Sequence, residues 1–114
     1  MNHPKFVIFR NEDGTYYFKL YNDQQKILLT GNPCDQRYQC IAAIQQLYSI
    51  VQKDHHYRMQ TIYGQFYYQV TNERHSIIST SVMYRTMAGM AYGINGVKQN
   101  VIVAVIKDHS TIEV

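Results

Sequence analysis

Displaced by 50 positions, this chain matches itself without a gap, from Gly14 against Gly64 to Val51 against Val101. Seven of the aligned pairs are identical: Gly14/Gly64, Tyr17/Tyr67, Asn22/Asn72, Ile27/Ile77, Thr30/Thr80, Ile44/Ile94 and Val51/Val101. Conservative pairs lie between them, among them Tyr16/Phe66, Phe18/Tyr68, Leu20/Val70 and Leu47/Val97. Upstream of the glycine, a one-residue gap sets Phe6 against Tyr57 and Ile8 against Met59. A self-match at fixed spacing constrains the fold more tightly than composition can. Each copy is one supersecondary unit, and the other copy must cover its apolar face.

Each copy opens with an expected strand over 5–10 or 57–61 and turns at Gly14 or Gly64, where glycine tolerates positive φ. A second strand is expected over 15–21 or 65–71. In the first copy Tyr16, Phe18 and Leu20 fall on one side, and Tyr17, Lys19 and Tyr21 on the other. Asn22 and Asn72 mark polar turns, and a third strand is expected over 26–30 or 76–80. The apolar period then changes from strand-like to helical. One helix starts at Asp35 or Gln36 and runs to about residue 53; Thr86 caps another that runs to about residue 100. Their apolar stripes superimpose, with Ile44, Leu47 and Val51 on the first and Ile94, Val97 and Val101 on the second.

The expected fold is therefore α+β. Two tandem β-β-β-α repeats are related by a pseudo-twofold axis, and both helices pack on one antiparallel sheet. The chain reads as a single domain over 1–114, with the first repeat at about 5–53, the second at about 56–101 and a C-terminal extension over 102–114.

The first copy contains Lys5-Phe6-Val7-Ile8-Phe9 and Gly14-Thr15-Tyr16-Tyr17-Phe18-Lys19-Leu20. The second contains 64–70, Tyr84-Arg85-Thr86-Met87-Ala88 and Gly93-Ile94-Asn95-Gly96-Val97-Lys98-Gln99-Asn100. Together these residues resemble the YegP-like family of small tandem-repeat proteins. The resemblance covers residues 5–108 and departs at several points. Gly96 stands where the family has Ser, and the first helix has Ala43-Ile44 for Gly-Ile and Leu47-Tyr48 for Val-Lys. It implies the duplicated α+β fold and brings no activity, cofactor or catalytic residue with it.

Composition narrows the function classes. Hydrophobic residues make up 46% and charged ones 17%, which fits a folded domain and excludes a disordered one. Tyrosine is over-used, with 11 copies against 4 Phe and no Trp, and its hydroxyl suits a half-wet strand. The net charge of +3 permits contact with nucleic acid or an anionic surface, without the dense basic patch of a dedicated binder. Cys34 and Cys40 do not make a disulfide framework, which points to a reducing, cytoplasmic setting. No signal peptide is read at the start, and the longest apolar run, 101–106, is too short to span a membrane.

No side-chain constellation reads as catalytic. His3, His55, His56, His75 and His109 lack zinc-ligand spacing and read as solvated loop residues, so no metal is expected. Cys40 falls on the apolar stripe of the first helix, and Cys34 lies before that helix without a readable base or acid partner. Gly89, Gly93 and Gly96 lie inside a helix and in the wrong order for a dinucleotide loop. Close packing is the expected offset for their helix-weakening cost. The run 101–106 reads as an added strand or docked extension, closing the sheet or pairing across a dimer.

The outward face of the first unit remains. Val7, Phe9, Tyr17, Lys19 and Tyr21 should share it. The expected function is a non-enzymatic interaction module that acts through this patch, with a second copy or another protein as its partner. The alternative is weak binding of single-stranded nucleic acid, using Tyr67 with Arg58, Arg74, Arg85 and Lys98. Cross-strand tyrosines also suit any half-exposed sheet.

Overall fold

The strands are set by turns whose residues accept positive φ. A computed structural model of the chain describes residues 3–110. Strands β1 (Lys5–Arg10) and β2 (Tyr16–Tyr21) are joined by a turn in which Gly14 takes φ 88°. There the Thr15 hydroxyl and amide both donate to Asp13 Oδ1, at 2.6 and 2.9 Å. Strands β4 (Tyr57–Ile62) and β5 (Gln65–Thr71) are joined by Tyr63 and Gly64 alone, at φ 49° and 75°. Two successive positive φ values make a turn whose twist matches the flanking strands.

Strands β3 (Ile27–Gly31) and β6 (Ile77–Ser81) follow turns of identical construction. Asn22 Oδ1 accepts from the amides of Gln24 and Lys26, with Gln25 at φ 64°. Asn72 Oδ1 accepts from Arg74 and Ser76, with His75 at φ 65°. The asparagine carboxamide replaces backbone partners that the turn leaves unpaired.

Helix α1 (Arg37–Ile50) starts where Gln36 N–H donates to Gln39 Oε1 at 3.0 Å. Helix α2 (Met87–Val103) starts where Thr86 Oγ1 accepts from Gly89 N–H at 2.9 Å. The first helix is shorter than its apolar pattern predicts. It stops at Ile50, and a 3₁₀ turn over Asp54–His56 leads into β4. The second runs three residues past Asn100, then gives way at Ala104 to a short strand, β7 (Val105–Asp108).

The seven strands form one sheet in the order β4-β5-β6-β3-β2-β1-β7. The halves meet at the antiparallel β3–β6 pair, Thr30 opposite Thr80. The expectation of a wholly antiparallel sheet is corrected by β7, which runs parallel to β1 with Phe6 opposite Ile106. The chain reaches β7 by the long α2 crossover, the connection that allows a parallel neighbour. The apolar run over 101–106 is therefore divided between the end of a helix and an edge strand. Residues 111–114 of the expected extension lie outside the described residues.

Both helices cover one face. Cys40, Ile44, Leu47 and Ile50 from α1 and Met90, Ile94, Val97 and Val101 from α2 share one core with Phe6, Ile8, Phe18, Leu20, Leu29, Tyr68 and Val70. Each large side chain buried there contributes about 1.5–3 kcal/mol. No helix among the described residues is long and apolar enough to cross a membrane.

Candidate functional site

The face opposite the helices is uncovered, and strand register places one row of side chains across its full width. Lys107 pairs with Val7, Val7 with Lys19, Lys19 with Thr30, Thr30 with Thr80, Thr80 with Gln69 and Gln69 with Arg58. Paired residues share a face, so these seven side chains stand in line. Six strand spacings of about 4.8 Å make the row about 29 Å long. It carries a cation at each end and one near the middle, with no carboxylate between them. Lys5 adds a fourth cation on the same face, two residues before Val7.

The expected patch is assembled as predicted in position but not in exposure. Phe9 and Tyr17 are paired and stacked, with ring centroids 5.2 Å apart. Lys19 Nζ lies 5.7 Å from the Phe9 ring and 5.9 Å from Tyr17. Lys5 Nζ lies 5.9 Å from the Tyr21 ring. Phe9, Tyr17, Lys19 and Tyr21 are half-buried by one another, and Val7 is only 2% exposed. The patch is therefore a set of aromatics roofed by lysines rather than bare apolar surface. Beside it an open depression of about 310 Å³ is lined by Tyr17, Thr30, Asn32 and Thr80.

Of the basic residues expected to act with Tyr67, only Arg58 joins this face. Lys98 is held by Asp54 and lies over the Tyr57 ring at 5.8 Å. Arg74 lies in the turn after β5, and Arg85 in the link before α2. Lys107 was missed because the tail has no counterpart in the self-match, and only the parallel pairing with β1 brings it to the row.

A larger recess of about 630 Å³ lies on the helix side, between the β2–β3 turn and α2. Its floor includes Tyr84, Gly93 and Gly96, and its charged lining residues are Asp23 and Lys26. Burial raises the Tyr84 phenol above its ordinary range, against a smaller lowering by the Tyr68 hydroxyl. No lining residue is a histidine, cysteine or serine.

The thiols are not activated. Burial, with Asp35 nearby, raises the Cys34 thiol, whose Sγ lies 3.6 Å from the Asn32 carbonyl oxygen. Burial pushes Cys40 up to about 12. The reading of all five histidines as solvated is corrected at His56, which is 2% exposed. The 3₁₀ turn tucks it against the end of β5, where its Nδ1 lies 2.7 Å from the Thr71 carbonyl oxygen. The gapped self-alignment gave no signal for this, because it sets His56 against Lys5, which is half-exposed.

By structure the chain is similar to the protein of unknown function yegP from E. coli, with a TM-score of 0.91 and 24% identity over 99% of this chain and 98% of that one. It is also similar to a UPF0339 protein from Shewanella oneidensis, with a TM-score of 0.88 and 20% identity over 94% and 92% of the two chains. No protein-family model matches the chain, and no curated protein matches it by sequence. Likeness at these identities carries a fold and not an activity. The resemblance drawn from the strand and helix motifs thus holds over nearly the whole chain, and the chain has the YegP-like fold.

Proposed function

We propose that this protein is a non-catalytic binding module that takes single-stranded nucleic acid across the open face of its sheet. The carrying observation is the row from Lys107 through Lys19 to Arg58, with Lys5 beside it and no carboxylate along it. A strand of phosphates is a linear anion, and an open face about 29 Å across accommodates several nucleotides. Tyr17, Tyr67 and Phe9 add ring surface for bases, which stack on aromatics without sequence preference. We read the two halves as copies of one unit about a pseudo-twofold. The support is the recurrence, fifty residues on, of the Asn22 turn, the Tyr16–Cys34 bridge and the bulge after Leu20.

Self-association through the same face is less well supported than the sequence suggests. A twofold contact sets a patch against itself, so the face that carries Lys5, Lys19, Lys107 and Arg58 would meet a face of the same charge. Fluorescence anisotropy with a labelled poly-dT oligonucleotide at low salt tests the reading. Binding is expected to weaken about tenfold or more in Lys19→Glu/Arg58→Glu, at unchanged circular dichroism. Equal binding by wild type and variant contradicts it.

A protein partner is favoured by a different observation. Edge strand β4 and its turn expose Met59 (60%), Ile62 (41%) and Tyr63 (98%). An unpaired edge with apolar side chains is a template for strand addition. Light scattering on wild type and Ile62→Lys tests this reading, and two equally monomeric proteins remove the case for a second copy.

A further inference from the structure

We propose that His55, His56 and Glu73 form a binding site for a divalent ion of the zinc type, where the 3₁₀ turn meets the end of β5. The argument starts from one proton. The Thr71 carbonyl can only accept, and His56 Nδ1 lies 2.7 Å from it, so Nδ1 carries the hydrogen. In the neutral ring Nε2 then holds a lone pair. That nitrogen is buried and has no hydrogen-bond partner. It lies 3.2 Å from Glu73 Oε1, close enough for an ion pair but misaligned for a hydrogen bond. A lone pair facing a carboxylate calls for positive charge between them, which either a proton on Nε2 or a metal cation bonded to both atoms supplies.

The surroundings complete the set. The His55 ring centroid lies 4.2 Å from that of His56, and one donor atom from each of the three residues falls within 4.8 Å of the others. Tetrahedral zinc with bonds of about 2.0–2.1 Å requires its donors about 3.3 Å apart. His55 and Glu73 are exposed and have room to close that gap, while His56 is already oriented. A backbone carbonyl on the far nitrogen is the usual support of a metal-bound histidine. Asp54, next in line, is engaged by Lys98, which leaves two imidazoles and one carboxylate. That donor set suits zinc and its neighbours over magnesium or calcium. Solvent would fill the open positions, since His55 and Glu73 face water.

The two histidines are not repeated in the first half. In the gapped alignment their counterparts are Pro4 and Lys5, with Asp23 in place of Glu73. The imidazole pair therefore belongs to the second half alone.

The untagged full chain, stripped with chelator and titrated with zinc chloride by calorimetry, tests the site. One zinc per chain is expected, together with a rise in melting temperature. His55→Ala and Glu73→Gln alter exposed side chains and leave the buried His56 in place. Each should weaken zinc by about tenfold or more and abolish the melting shift. The absence of saturable binding in the wild type overturns the proposal. So does zinc binding in both variants equal to that of the wild type, which would place the ion at another histidine.

Discussion

Gly93 and Tyr84 are a matched pair. A Cβ built on Gly93 would lie 2.1 Å from the Tyr84 hydroxyl oxygen and 2.4 Å from Cζ, whereas one on Gly96 meets nothing within 4 Å. Fifty residues earlier the positions hold Ala43 and Cys34, a larger helix residue with a smaller neighbour. Gly93→Ala should therefore destabilise by about 1–2 kcal/mol, after the gain of alanine in a helix is set against the overlap. Gly96→Ala should stabilise by up to about 1 kcal/mol. Urea unfolding of the two variants reads the opposite signs. Helical periodicity places all three glycines in α2 but assigns them one common role. The closest approach belongs to Gly93, and its neighbour is a side chain that precedes the helix, which periodicity does not register. The thiols are tested at the same scale. Ellman's reagent at neutral pH should label Cys34 more slowly than free cysteine, and Cys40 only on unfolding.

At the scale of elements, β7 is the addition that the self-match leaves undescribed. Asp108 at its end is bound by Arg37 at the start of α1 and by the amide and hydroxyl of Ser110. Tyr48 Oη donates to the Ala104 carbonyl oxygen at 2.8 Å just before it. Partial burial would raise the Asp108 carboxyl, but the Ser110 hydrogen bonds and the Arg37 guanidinium hold it below the usual carboxylate value. A carboxyl with a lowered folded pKa contributes stability above its unfolded value, near about 3.9. That contribution is lost as pH falls through the folded pKa. Thermal melts should therefore show an acid-dependent loss below about pH 4 that Asp108→Asn reduces, at a cost of about 1 kcal/mol near neutrality. Six strands and two helices were legible because Gly14, Gly64, Asn22 and Asn72 mark the turns. The end of α2 was not, since Val101, Ile102 and Val103 suit a strand as well as a helix. Tertiary position decided between them: Val101 completes the buried stripe of α2.

At the scale of the whole molecule, what the sequence hides is adjacency. Alternation along β2 predicts that Tyr17, Lys19 and Tyr21 face outward, and they do. It does not say that Thr30 lies beside Thr80, or that Lys107 arrives next to Val7. Those neighbours come from strand order, which depends on contacts far apart in the chain. The same limit hid His55, His56 and Glu73, whose nearness follows from the pairing of β4 with β5. Binding of a polyanion to this open face through Lys5, Lys19, Lys107 and Arg58 would depend steeply on salt. Binding of poly-dT followed across a series of salt concentrations should weaken linearly on a log–log plot, with a slope of about −3 for four phosphate contacts. The slope should fall to about −2 in Lys19→Ala. A salt-independent affinity, or no binding at the lowest salt, would contradict the account.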